Sequence, residues 1–140
     1  MGPSSTRSAL TFRLAERFYA LPLDRTAGVA DLGRVRTVPN SPATFIGLTD
    51  WHGRVLSVHS LPALLGDRAV EVEPARSIIR LRAPLDDQAL FVPARFGLAE
   101  WTPPDDSTSE ILTELNDGSN LVHWIHVDAL LSVRPAQATP

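Results

Sequence analysis

The chain has 140 residues, a net charge of −3 and 44% apolar residues, which fits a globular protein with one core or two small linked ones. It has no cysteine, which excludes disulfides, thiolate metal sites and cysteine nucleophiles, and all thirteen basic residues are arginine, which excludes a Schiff-base or phosphate-loop lysine. The mild acidity and lack of a basic run speak against a nucleic-acid partner, and no window approaches the roughly 20 apolar residues of a membrane-spanning helix.

Met1-Gly2-Pro3-Ser4 reads as a frayed leader without a signal-peptide core, so the expectation is a cytoplasmic protein with flexible ends at 1–7 and 136–140. From Leu10 to Leu14 apolar and polar residues alternate, predicting a strand with Leu10, Phe12 and Leu14 on one face. Glu16-Arg17 turns the chain into a second strand, Phe18 to Leu23, whose Pro22 suits an edge or a bulge. Gly28 to Leu32 reads as strand or helical turn, Arg34 to Val38 as a strand, and Pro39 to Pro42 as a loop.

Ile46 to Asp50 and Arg54 to His59 form a hairpin about a tight turn at His52-Gly53. A short helix follows, with Pro62 in its first turn and Gly66 as its stop. Asp67 to Pro74 is charged and loop-like. Ser77 to Arg82 and Ala89 to Val92 are strands joined by a turn at Pro84 to Asp87. Thr102 to Asp106 is a polar break, and the periodicity of Ser109 to Leu115 leaves helix and strand open.

A weak internal repeat runs through this order. Arg54 to Gly66 (RVLSVHSLPALLG) resembles Asn120 to Ser132 (NLVHWIHVDALLS), 66 positions on (120 − 54). Phe96 to Ala99 resembles Ala27 to Ala30, 69 positions on (97 − 28), and the Ser77 to Val92 hairpin resembles the opening one. Short strands with turn signals every 8 to 12 residues predict an all-β fold of two closed or nearly closed barrels, each of about five strands.

The candidate chemistry is sparse. His123 and His126 fall on opposite faces of a strand, and with His52 and His59 they gather no carboxylates into a metal set. No nucleophile elbow or phosphate-cradling glycine motif is present. Asp86-Asp87 and Asp105-Asp106 read as turn formers. No cofactor or catalytic residue is predicted. Trp51, at the hairpin tip beside an arginine, reads either as an exposed protein-binding residue or as a lid over its own barrel. Trp101 and Trp124 read as core or barrel-wall residues.

The order and spacing of these motifs resemble the CheW family, the adaptor proteins of bacterial chemosensory arrays. The likeness runs from about Leu10 to Val133. It rests on Tyr19-Ala20-Leu21-Pro22-Leu23, on Val38-Pro39 with the hairpin Gly47 to Gly53, on Val55 to Val58 with Leu61 to Gly66, and on Leu121 to Val127 with Asp128 and Leu130-Leu131. The resemblance implies a single domain over 8–135, with one SH3-like barrel at about 20–75 and a second at about 8–19 and 76–135, packed through a shared apolar core. It implies a non-enzymatic, monomeric scaffold between the cytoplasmic tip of chemoreceptors and the regulatory domain of a CheA-like histidine kinase. Trp51, His52, Gly53 and Arg54 are the contact residues it points to.

The chain departs from the family's pattern at His52, where an arginine is usual, at Ser57 and Ser60, where proline and aspartate are usual, and at Pro93, in place of an aspartate. These departures motivate the alternative of a divergent barrel that binds another regulator or a small ligand.

Overall fold

The computed structural model describes residues 7–14, 16–66, 76–102, 104, 111–116 and 121–132. Among these residues ten strands and two short helices follow in the order β1 (Arg7–Leu14), β2 (Arg17–Pro22), β3 (Thr26–Asp31), β4 (Phe45–Trp51), β5 (Arg54–Ser60), α1 (Leu61–Leu64), β6 (Ser77–Leu81), β7 (Gln88–Val92), β8 (Gly97–Trp101), β9 (Leu112–Asn116), β10 (Leu121–Ile125) and α2 (Val127–Ser132). A 3-10 turn, Leu23–Arg25, links β2 to β3. The protein is all-β.

The strands form two five-stranded sheets, β8-β1-β2-β10-β9 and β3-β6-β7-β5-β4. No ladder joins the end strands of either sheet among the described residues, so the expected barrels are open sheets. The outer edge of β4 is nonetheless occupied. Arg36 and Leu48 exchange backbone hydrogen bonds of 2.8 and 2.9 Å, and Thr49 Oγ1 donates to the Arg34 carbonyl at 2.8 Å. The strand expected at Arg34 to Val38 is thus a single bridge against β4. Covering an edge in this way removes a template for unwanted pairing.

Each sheet belongs to its own compact unit. One unit holds β1, β2, β8, β9, β10 and α2; the other holds β3 to β7 and α1. The expected subdomains, 20–75 and 8–19 with 76–135, placed β6 and β7 in the wrong sheet. The β6–β7 hairpin is bonded to β3 on one side and, in parallel, to β5 on the other. The β1–β2 hairpin is bonded in the same manner to β8 and, in parallel, to β10. A hairpin carries its own turn, so its position in the chain leaves open which three strands it joins.

Within the first unit Ala9, Ala20, Val122 and Trp124 form a buried cluster, with Trp101 and Leu115 against it. Leu10, Phe12 and Leu14 are also buried, on the opposite face of β1 as the alternation requires. Phe12 stacks on Tyr19 at 5.8 Å and meets Phe96 edge-on at 5.6 Å. Pro22 closes β2, a central strand rather than an edge. It is the last residue of the β1–β2 ladder, opposite Ala9, and lies beyond the ladder with β10, which ends at Ala20. Leu112–Asn116 resolves as strand the segment that periodicity left open.

The second unit is built around Leu56, Val58, Ile78 and Ala89, with Ala30, Leu32, Ile46, Trp51 and Phe91 packed on them. The helix α1 starts where expected. Ser60 Oγ accepts from the Ala63 backbone N–H at 3.3 Å, capping a first turn that carries Pro62. Residues 1–6, Asp67 to Pro74, Asp105-Asp106 and 133–140 lie outside the described residues, while Arg7, expected in a flexible end, opens β1 and pairs with Asp24 at 3.1 Å.

Candidate interaction site

Trp51 and Arg54 are opposite one another in the β4–β5 ladder, which leaves His52-Gly53 as a two-residue loop. Both loop residues have positive φ, 49° at His52 and 84° at Gly53, as a type I′ hairpin turn demands. Glycine adopts this geometry freely. Histidine adopts it at a cost of roughly 1–2 kcal/mol. Its ring projects into solvent and stands 4.3 Å from the Trp51 ring at 70°.

The pairing registers settle which side chains share a face. Leu56 and Val58 lie opposite Thr49 and Gly47, Val58 lies opposite Ala89, Ala89 opposite Arg80, and Arg80 opposite Gly28. Trp51 and Arg80 therefore sit on the same face, with β7 and β5 between their strands. In a flat sheet three strand spacings amount to about 14 Å. Here the Arg80 guanidinium carbon is 4.5 Å from the centroid of the Trp51 ring. The sheet curls, and this face is its concave side.

Trp51 is thus folded back over its own sheet, half-buried against the apolar cluster and capped by a cation. Such a stack is worth about 0.5–2 kcal/mol, depending on how dry it is. Arg80 Nη2 also donates to the Ala27 carbonyl at 3.2 Å, and a Cβ at Gly28 would lie 2.5 Å from that nitrogen. The guanidinium occupies the space a side chain at Gly28 would need. Arg80 Nε is buried with no acceptor among the described residues, a loss of about 1–3 kcal/mol that the rest of the site must offset.

Arg54 does not stand free at the tip. Its Nη2 donates to Asp86 Oδ2, in the β6–β7 turn, at 2.9 Å. That hydrogen bond, joined by one from the Asp86 backbone, holds the Asp86 carboxyl below its ordinary pKa. Both side chains are about half exposed, so the pair orients Arg54 more than it stabilises the fold. Asp87 Oδ1 accepts from the Gln88 side-chain amide at 3.0 Å, so both aspartates work as turn residues.

The structure places Trp51, His52, Gly53 and Arg54 at the β4–β5 hairpin tip and sets Arg80, which sequence reasoning did not single out, against Trp51. Nothing in the alternation of Ser77 to Arg82 marks Arg80 as special; only the register to Gly28 and the curl toward β4 do. The other histidines are dispersed. His59 is buried, with Nε2 bonded to Gln88 Oε1 at 2.5 Å. His126 is bonded through Nε2 to Thr113 Oγ1 at 2.7 Å, and His123 packs on Tyr19 at 5.4 Å. Among the described residues no three His, Asp or Glu side chains gather as metal ligands.

The first unit has a pocket of about 130 Å³ beside the start of α2. Its two arginines, Arg7 and Arg25, are already paired with Asp24 and Asp128, so it offers no unopposed charge. Among the described residues no helix is long and apolar enough to cross a membrane.

Comparison with known proteins fits this architecture. No curated protein sequence matches the chain. Among solved structures, the scaffolding protein TtCheW from Thermoanaerobacter tengcongensis superposes with a TM-score of 0.72 at 18% identity, over 86% of this chain and 84% of that one. A likeness at that identity shows the fold. The family profile of the CheW-like domain matches residues 8–134, almost the whole chain. Proteins of that family are non-enzymatic scaffolds and adaptors of chemotaxis. By that match over residues 8–134, this chain belongs to the CheW-like domain family.

Proposed function

We propose that this chain is a cytoplasmic, non-enzymatic coupling protein that joins the cytoplasmic tip of chemoreceptors to the regulatory domain of a CheA-type histidine kinase. The pathway would control flagellar chemotaxis or type IV pilus motility. The observation that carries the reading is the family match across 8–134. The hairpin tip, with Trp51, His52, Gly53 and Arg54, is the contact surface assigned to it. A scaffold of this kind acts by geometry: docking a receptor and a kinase at once raises the effective concentration of each for the other.

Binding of the purified protein to the regulatory domain of a histidine kinase encoded beside it, and to the receptor's cytoplasmic fragment, tests the proposal. Micromolar complexes with both support it, and loss of affinity in the double substitution His52→Ala, Arg54→Ala assigns the surface. Absence of binding at micromolar concentrations to any such kinase would overturn the reading.

One observation favours a second reading, a CheW-like fold serving a different regulator or a small ligand. The family's usual arginine is His52 here, and the neighbouring Arg54 is engaged by Asp86. A thermal-shift screen separates the two, because only a ligand that prefers the folded state raises the melting temperature.

A further inference from the structure

Three ion pairs among the described residues engage Arg7, Arg25 and Arg54. Arg80, on the concave face of the β3-β6-β7-β5-β4 sheet, and Arg82, one residue past the end of β6, have no carboxylate partner among them. Each is instead held by a backbone carbonyl of β3. Arg80 Nη2 donates to Ala27 at 3.2 Å, and Arg82 Nε donates to Thr26 at 2.8 Å. Arg82 is exposed and Arg80 half-exposed, with the Trp51 ring against the Arg80 guanidinium. None of the nearby aspartates pairs with them: Asp86 is bound to Arg54, Asp87 accepts from the Gln88 amide, and Asp50 belongs to the opposite face of β4.

Two guanidiniums without an ion-pair partner among the described residues, held on the adjacent Thr26 and Ala27 carbonyls and one of them against a tryptophan, form a local site for negative charge in a chain of net charge −3. Carbonyl bonds fix the forks without neutralising them, and a guanidinium fork matches a carboxylate's two oxygens. Trp51 supplies the apolar flank that a flexible acidic side chain packs along.

We propose that Arg80 and Arg82, with Trp51 as their wall, seat an aspartate or glutamate side chain presented by a protein partner. The inference rests on the reading of this chain as a protein-binding adaptor and adds the chemistry its partner must present. Arg80 and Arg82 are then specificity residues, and the hairpin tip His52-Gly53 is the rim of the seat.

The test has two arms. In the first, the peptide acetyl-Glu-Leu-Glu-Glu-amide is titrated into the protein while the Trp51 indole N–H resonance, assigned through Trp51→Phe, is followed by NMR. A saturable shift with this peptide, its absence with the Gln counterpart, and its loss in Arg80→Met and in Arg82→Met are expected. Arg80→Lys keeps the charge and retains part of the shift, and the exposed Arg82→Met guards against a folding defect at the half-buried site. In the second arm, Arg80→Met weakens binding to the kinase regulatory domain about tenfold or more and flattens its salt dependence.

The outcomes separate the two readings. A wild-type protein that ignores every kinase domain overturns the adaptor function, while the peptide arm still decides the seat. Equal shifts with the Glu and Gln peptides, no shift with either, or an equal response to a short single-stranded oligonucleotide would overturn the seat even if the kinase domain binds.

Discussion

Trp124 stands opposite Ala20 in the parallel ladder of β10 with β2, at the place where Val58 stands opposite Ala89 in the parallel ladder of β5 with β7. The offsets are 66 (124 − 58) and 69 (89 − 20), those of the repeat visible in the sequence. Each pair sets a large buried side chain against a fully buried alanine. The two sheets are versions of one design, yet each takes its hairpin from one half of the chain and its other three strands from the other half. The halves are interleaved.

Interleaving makes the halves dependent on each other. A protease site inserted within 67–75 and cut should leave two fragments that stay associated on gel filtration. Separated in denaturant, neither fragment should regain tryptophan near-UV ellipticity alone, whereas the mixture should. A fragment that folds alone would contradict the ladder assignments, because each half lacks hydrogen-bonded neighbours for its own central strands.

His52 is the one residue of the hairpin loop that pays for its conformation, with φ at 49°. His52→Asn, which makes the Asn-Gly pair preferred in type I′ turns, should stabilise the protein by about 0.5–1 kcal/mol. Urea unfolding with an unchanged slope would register this as a higher midpoint. A lower midpoint would mean that the His52 ring's contact with Trp51 outweighs the backbone cost.

Gly28 has φ at 153° and lends its empty side-chain space to Arg80. Gly28→Ala should drive the guanidinium off Trp51 and cost about 1–3 kcal/mol in backbone strain. Difference spectra against Trp51→Phe should show the Trp51 emission altered. Unchanged emission and melting temperature would refute the packing described.

The carboxyl of Asp86 titrates below its ordinary value because Arg54 bonds its charged form. The sign follows directly. A depressed folded-state pKa favours folding above the unfolded-state pKa, and that contribution fades as pH falls through the folded one. Arg54→Met should raise the Asp86 pKa toward its unperturbed value, read by carboxyl-carbon NMR. Because the pair lies in a solvent-accessible turn, stability at neutral pH should barely change. No rise in the Asp86 pKa would show the pair to be absent in solution.

The sequence by itself determined the β1–β2, β4–β5 and β6–β7 hairpins, the His52-Gly53 turn, the Pro62 helix start, the family and the repeat, but not the Arg34 to Val38 bridge or the β3 and β9 strands. The hairpins, turn and helix start are encoded within a dozen neighbouring residues by alternation and turn chemistry, and the family and the repeat by the order and spacing of such motifs along the chain. Tertiary structure alone decided which hairpin joins which sheet, that Trp51 lies under Arg80, and that Arg54 is tied to Asp86. Period-two patterning says which residues of one strand share a face, but it is silent on register and partner strand. Arg80 and Trp51 are 29 residues apart (80 − 51) and meet because three ladders and the curl of the sheet bring them together.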